Sequence, residues 1–156
     1  MPDPARQLLR HTVATVAYRG GKALRGAPES FAQYGAPEKS AAQILAHLGD
    51  LYDWALSLAV GKQVWNNSTP LPWNDEVARF HRTLTTFDDY LASDQPLNCT
   101  IEKLFQGPVA DSLTHIGQLA MMRRLAGCPM KGENYAVATI AAGNTGPEQA
   151  PPRKEF

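Results

Sequence analysis

The segment ILAHLGDLYDWALSLA, from Ile44 to Ala59, decides the fold class of this chain. Its apolar residues recur at steps of three and four, which is the spacing of an amphipathic α-helix with one buried face. Pro37, followed by Glu38, suits the first turn of a helix, and Gly61 suits its end. The pattern therefore predicts a helix of about twenty residues that ends near Gly61.

Further helices are predicted on both sides of this segment, each from apolar residues three and four apart and from cap residues at its ends. They run from about Pro4 to Leu24, from an Asn74 cap to the polar stretch that ends at Asn98, over Thr100–Gln106 as a short helix, and from Pro108 to Ala126. Four long helices with short connections and no convincing strand pattern predict an all-α, up-and-down four-helix bundle.

The tail from Met130 to Phe156 carries one small apolar patch, formed by Ala136, Val137, Ile140 and Ala141. We expect a short extra C-terminal helix there, packed on the bundle, followed by an extended tail. A length of 156 residues fits one domain, so residues 1–156 are predicted to form a single unit.

Composition excludes several classes of partner. Lysine plus arginine and aspartate plus glutamate both count 15, and this balance argues against a nucleic-acid-binding protein or a polybasic membrane-surface module. The start of the chain has no apolar signal region, and no apolar run approaches the length of a membrane span. Cys99 and Cys128 are then expected to be reduced thiols, and the expected location is the cytoplasm.

The fourth long helix contains Asp111 and His115, two metal-capable groups one turn apart on the same face. Gln118 continues this polar strip along a helix whose other faces are largely apolar, which predicts a buried position. Two interpretations stay open. The pair is either a surface His–Asp hydrogen bond, or part of a site that holds an ion because burying both groups unpaired is costly.

His47 is the candidate third group, at the margin of the apolar stripe of the second helix and on the same flank as Trp54. Metal sites in helix bundles are assembled from facing helices, and two histidines with one carboxylate leave coordination positions open. Asp50 and Asp53 lie well away from His47 around the helix and are expected to be solvated. His11 and His81 are expected to be structural or surface residues.

The segments from Ile44 to Trp54 and from Gln106 to Gln118 resemble the DinB-like superfamily of four-helix bundles. Its members include YfiT-type putative metal-dependent hydrolases and bacterial thiol S-transferases, and the resemblance runs from the second helix to the C-terminus. The resemblance implies a metal-binding histidine triad, of which His47 and His115 match two positions. Asp111 stands where the family more commonly has histidine, and a carboxylate is an acceptable ligand for Zn²⁺, Ni²⁺, Mn²⁺ or Fe²⁺.

Three functional interpretations follow. The first is a metal-dependent hydrolase or thiol S-transferase that acts on a small anionic or thiol ligand at His47, Asp111 and His115, with Gln118 and Trp54 as candidate ligand-binding residues. The second is a non-catalytic small-molecule-binding or stress-related bundle that retains the polar site. The third, compatible with both, is a homodimer formed through an excess apolar face of the last helix. No residue is assigned as a general acid or base.

Overall fold

The structure is a computed structural model that describes residues 3–156, and it is all-helical. The long helices are α1 (Pro4–Leu24), α2 (Ala41–Val60), α3 (Trp73–Ala92) and α5 (Ala110–Leu125), and α4 is the short helix Ile101–Leu104. Three 3₁₀ turns lie at Glu29–Gln33, Pro37–Lys39 and Tyr135–Val137. No β-strand occurs in residues 3–156; the only strand-like pairing there is one isolated bridge between Glu133 and Glu155.

Cap residues determine some of the helix boundaries, but the predicted Asn74 cap is wrong, because α3 begins at Trp73 after Pro72 and Asn74 lies inside the helix. The predicted helix from Pro4 to Leu24 is confirmed. Pro37 begins a separate 3₁₀ turn rather than α2, because Ser40 caps α2 by accepting a hydrogen bond from the Gln43 backbone N–H. Gly61 ends α2 with a φ of 83°, a backbone conformation that glycine adopts without the strain a side chain would add.

The predicted interruption at Gly107-Pro108 is wrong. A π-helical turn, Phe105–Val109, joins α4 directly to α5, and Pro108 lies inside this turn. In a π turn each backbone hydrogen bond spans five residues instead of four. The turn therefore contains one extra residue, and different carbonyl groups lack an N–H donor. The missing N–H of Pro108 is thus accommodated without ending the helix.

The relative directions of the long helices follow from the contacts between them. Arg6 near the start of α1 donates to the carbonyl of Leu91 near the end of α3, so α1 and α3 are antiparallel. Arg79 in the first half of α3 donates to the Ala46 carbonyl in the first half of α2, while Tyr90 reaches the end of α2. α2 and α3 therefore run in the same direction.

A strictly up-and-down order, in which consecutive helices are antiparallel, does not hold for α2 and α3. The physical reason is the length of the connection, residues 61–72. Extended chain covers about 3.3 Å per residue whereas a helix rises 1.5 Å, so this connection is long enough to return along α2. It does so, since Ser68 contacts Asp50 in the middle of α2.

One apolar core lies between the long helices, and its largest members include Tyr18, Tyr52, Phe80 and Phe87. α1 and α2 each pack on both α3 and α5. None of the helices in residues 3–156 combines the length and hydropathy that a membrane span requires.

The tail forms only one helical turn, Tyr135–Val137, and beyond it the chain has no regular helix. The expected short helix is thus a single 3₁₀ turn, and the rest of the tail has no regular secondary structure apart from the bridge at Glu155. The patch expected to pack on the bundle is not buried, since Val137 is exposed. Polar contacts hold the tail instead: Glu133 accepts from Tyr18 and Lys22 on α1, and the Thr145 carbonyl accepts from His81 on α3.

Candidate metal centre

The structure brings His47, Asp111 and His115 together across the interface of α2 and α5. Nε2 of His47 and Nε2 of His115 each lie 3.3 Å from Oδ2 of Asp111. One ligand atom from each residue can be chosen so that all three lie within 4.8 Å of one another. The two imidazole rings meet edge to face with centroids 4.7 Å apart.

This juxtaposition follows from the helical register. Asp111 and His115 are four residues apart on α5, so both side chains project from one face of that helix. α2 is antiparallel to α5: His47 meets His115 near the start of α2, while Trp54, two turns later, lies beside Gly107. A hydrogen bond of 2.7 Å between the buried hydroxyls of Tyr52 and Ser112 fixes the register between these two contacts.

Gln118 determines which nitrogen of His115 faces the carboxylate. Nδ1 of His115 lies 2.7 Å from Oε1 of Gln118, an oxygen that can only accept, so Nδ1 carries the proton and donates. In the neutral imidazole, Nε2 is then the unprotonated nitrogen, and it lies 3.3 Å from Oδ2 of Asp111. An unprotonated imidazole nitrogen beside a carboxylate oxygen is a pair of atoms that can both bind one cation.

The site lies at the rim of the helix interface rather than in the buried interior that the sequence predicted. The side chains of His47, Asp111 and His115 are 33%, 46% and 20% exposed. The apolar residues on the outer face of α5 do not pack on the core, and both Met121 and Leu125 are exposed. This leaves the three groups accessible to a ligand from solvent.

A cavity of about 380 Å³ opens beside the two histidines. Its wall is formed by His47, His115, Gln118, Glu38, Lys39, Gln43, Ile44, Asp50, Asn67 and Ser68. The predicted ligand-binding residue Gln118 is thus part of this wall, in addition to its hydrogen bond with His115. The volume suits a small molecule, and the lining is mostly polar.

The expectation that Asp50 is solvated is wrong. Asp50 is buried, accepts two hydrogen bonds from Ser68 and pairs with Arg79 at 2.7 Å. Asp53 is half-exposed but also pairs with Arg79, at 2.8 Å. The error has a clear cause: Arg79 comes from α3 and Ser68 from the returning connection, and the periodicity of α2 alone carries no signal for either.

Trp54 lies apart from the cavity beside His47. It lines a second cavity of about 840 Å³, between the end of α2 and the start of α4, together with residues such as Cys99 and Lys103. Trp65 stands edge to face with both Trp54 and His47, at centroid distances of 5.7 and 5.5 Å. Trp65 belongs to an irregular connection, so helical periodicity could not have indicated it.

The remaining histidines and the cysteines lie outside the candidate centre. His11 is exposed on α1, and His81 is buried with its Nδ1 donating to the Thr145 carbonyl at 3.0 Å, which fits the expected structural or surface roles. Cys99 and Cys128 are both free and half-buried.

Comparisons of the chain with protein-family models, with curated proteins and with solved structures give no match.

Proposed function

We propose that this protein is a divalent-metal-binding enzyme whose metal ligands are His47, Asp111 and His115. The observation that carries the proposal is the convergence of two imidazole nitrogens on one carboxylate oxygen at 3.3 Å, with the Nδ1 proton of His115 already donated to Gln118. Distances of 3.3 Å are also long for charge-assisted N–H···O hydrogen bonds, which cluster at 2.7–2.9 Å.

The donor set fits a divalent transition metal. Bonds of about 2.1 Å in a tetrahedral site place neighbouring ligand atoms about 3.4 Å apart, close to the two nitrogen–oxygen distances of 3.3 Å found here. Two imidazoles and one carboxylate are suitable ligands for Zn²⁺, Ni²⁺, Mn²⁺ or Fe²⁺. Three protein ligands leave positions open for substrate, as in catalytic rather than structural sites.

The proposed activity is hydrolysis or thiol S-transfer on a small molecule. When bound, a divalent ion supplies Lewis acidity that lowers the pKa of a coordinated water or thiol. The chain itself contributes the cavity beside His47, whose wall contains Lys39 and the carboxylates of Glu38 and Asp50. A divalent ion held by the single carboxylate of Asp111 would leave the centre with a net positive charge, so a small anionic or thiol ligand suits it better than a nucleic acid or a membrane surface does.

We also propose that the long helices form a four-helix bundle of the DinB-like superfamily, as the resemblance between Ile44 and Gln118 implies. Cys99 and Cys128, both unpaired, suit the reducing conditions of the cytoplasm. The exposed Met121 and Leu125 on α5 are the residues through which a homodimer would form.

The alternative function is a non-catalytic bundle that binds a small molecule at the same centre. It is favoured by the scarcity of general-base candidates in the wall next to His47, where Glu38 and Asp50 are the two carboxylates. Asp50 is the nearest further carboxylate on α2, and its two oxygens are already occupied by Ser68 and Arg79. The two functions share the metal site and differ in whether turnover occurs.

The metal site is tested by calorimetric titration of the chelator-treated protein with Zn²⁺ and Ni²⁺. We expect one ion per chain, and we expect His47→Ala, Asp111→Ala and His115→Ala each to lower the affinity at least tenfold. His11→Ala is the matched control, because His11 is an exposed histidine on α1. Equal affinity in the wild type and His115→Ala would rule out the site.

Turnover is tested by supplying the metal-loaded protein with a panel of activated esters and amides and with small thiols plus an electrophilic acceptor. The enzyme proposal predicts turnover that His47→Ala removes while His11→Ala retains it. Metal binding without turnover on any of these substrates would favour the non-catalytic alternative.

A further inference from the structure

Residues 61–72, which we call the strap, return along α2 without regular secondary structure and are fastened at three places. Each fastening joins a strap residue to a side chain of α2 or α3: Val64 to Ser57, Ser68 to Asp50, and Leu71 to Glu76. Side chains thus hold a segment in which no residue is fully buried. The path of the strap is therefore set by a few hydrogen bonds.

Asp50 provides the central fastening. Its Oδ2 accepts from the Ser68 backbone N–H at 2.9 Å, and its Oδ1 accepts from the Ser68 hydroxyl at 2.6 Å. Arg79 donates to the same Oδ1 at 2.7 Å and so fixes the carboxylate from the opposite side. Hydrogen bonds to a buried charged acceptor are stronger than neutral ones, so the fastening is well determined.

Trp65 is the strap residue that lies against the metal centre. Its ring stands edge to face with His47 at 5.5 Å, and its Nε1 donates to Oδ1 of Asn67 within the strap at 3.1 Å. Histidine ligands of metals are usually oriented by a hydrogen bond from the second ring nitrogen, as His115 is by Gln118. Within residues 3–156, Nδ1 of His47 makes no such bond, so this ring is held by its contact with Asp111 and by packing against His115 and Trp65.

We infer that Asp50 and Trp65 are positioning residues: Asp50 fixes the strap, and the strap lays Trp65 against His47 so that Nε2 of His47 faces Asp111. The role in metal binding rests on the proposed function. The placement of Trp65 on His47 is independent of it and can be tested in metal-free protein.

The metal-free test uses nuclear Overhauser contacts between the ring protons of Trp65 and His47. We expect them in the wild type and expect Asp50→Asn to remove them. Asp53→Asn is the matched control, because Asp53 also pairs with Arg79 but makes no hydrogen bond to the strap. If Asp50→Asn fails to fold, Ser68→Ala removes one strap hydrogen bond without touching Arg79 and should weaken the contacts. Their absence in the wild type, or their full retention in the folded Asp50→Asn or Ser68→Ala variant, would overturn the inference.

The metal-loaded test compares Zn²⁺ affinities. We expect Trp65→Ala to lower the affinity about tenfold, the lower end of the effect of removing an outer contact of a ligand, and Trp65→Phe to restore most of it. Unchanged affinity in Trp65→Ala would contradict a positioning role for Trp65. If the wild type binds neither Zn²⁺ nor Ni²⁺, the proposed function fails, and the metal-free contacts still decide whether Asp50 and the strap orient His47.

Discussion

Gln118 orients His115 through a hydrogen bond of 2.7 Å between its Oε1 and Nδ1 of the imidazole. Removing this acceptor leaves the ring free to rotate and to exchange its tautomer, so Nε2 faces Asp111 for less of the time. We expect Gln118→Ala to lower Zn²⁺ affinity about tenfold, whereas Gln118→Glu, which keeps an acceptor, should retain it. Calorimetric titration measures both.

Thr114→Ala is the control for this prediction, since Thr114 is an exposed residue on the same helix and contacts neither histidine through a hydrogen bond. A Gln118→Ala variant with the affinity of Thr114→Ala would show that His115 does not depend on Gln118.

At the scale of single residues, the sequence predicts the relative position of those site residues that lie on the same helix. The four-residue step between Asp111 and His115 is enough to place them on one face. His47 also came from periodicity, together with the resemblance to a known family. The contacts of Trp65 with His47 and of Asp50 with Ser68 cannot be predicted in this way. Both depend on the path of residues 61–72, which have no periodic pattern.

At the scale of helices, we expect the same substitution, glycine to alanine, to have opposite effects on the free energy of unfolding at Gly49 and at Gly117. A Cβ at Gly49 would lie 2.7 Å from Nη1 of Arg79, the side chain that pairs with the buried Asp50. A Cβ at Gly117 on α5 would meet no atom within 4 Å. Inside a helix alanine is more favourable than glycine by about 1 kcal/mol. This gain is the same at both positions, so the two substitutions differ only through the surroundings of the added Cβ.

We therefore expect Gly117→Ala to raise the free energy of unfolding by up to about 1 kcal/mol and Gly49→Ala to lower it by about 1–3 kcal/mol. Urea denaturation followed by circular dichroism measures both. The two variants are controls for each other. A stabilising Gly49→Ala would mean that Arg79 can leave the α2–α3 interface without cost.

The helices themselves were largely predictable because apolar spacing and caps are local signals. Two features were not. Gly107-Pro108 normally ends a helix, but here a π turn carries the chain through it, and α4 and α5 both pack on α1 and α2. The parallel direction of α2 and α3 depends on the course of the connection, which periodicity within a helix does not encode.

At the scale of the whole molecule, the tail is attached to the helices through buried polar groups rather than an apolar face. Lys22 on α1 is buried and bonds Glu133, whose side chain is fully buried, and Glu155, whose side chain is one-third exposed. Removing one partner of a buried ion pair costs about 3 kcal/mol or more, whereas an exposed pair contributes below about 1 kcal/mol.

We therefore expect Glu133→Ala to lower the free energy of unfolding by about 3 kcal/mol and Glu155→Ala by less than about 1 kcal/mol. Urea denaturation of the two variants beside the wild type provides the comparison. Equal losses would show that the tail is not fastened at Glu133. This attachment could not be predicted, because the apolar patch of the tail suggested a packed helix.

His81 joins α3 to the tail through the hydrogen bond from its Nδ1 to the Thr145 carbonyl, and it gives the attachment a dependence on pH. Burial and the positive charge of Arg25 lower the pKa of His81 and outweigh the opposite effect of the bond to Thr145. The folded protein thus binds this proton less readily than the unfolded chain, whose histidine pKa is near 6.5. Stability from His81 is present above that pH and is lost as the pH falls through the lowered pKa.

Below pH 6.5 we expect the protonation of His81 to lower the free energy of unfolding of the wild type by up to about 1.4 kcal/mol per pH unit. His81→Gln should show a flatter dependence between pH 7.5 and 5, because it removes the titrating ring. His11→Gln should keep the wild-type slope, since His11 is exposed. Urea denaturation at a series of pH values measures all three. Parallel curves for the wild type and His81→Gln would mean that the tail can be docked onto α3 with His81 protonated.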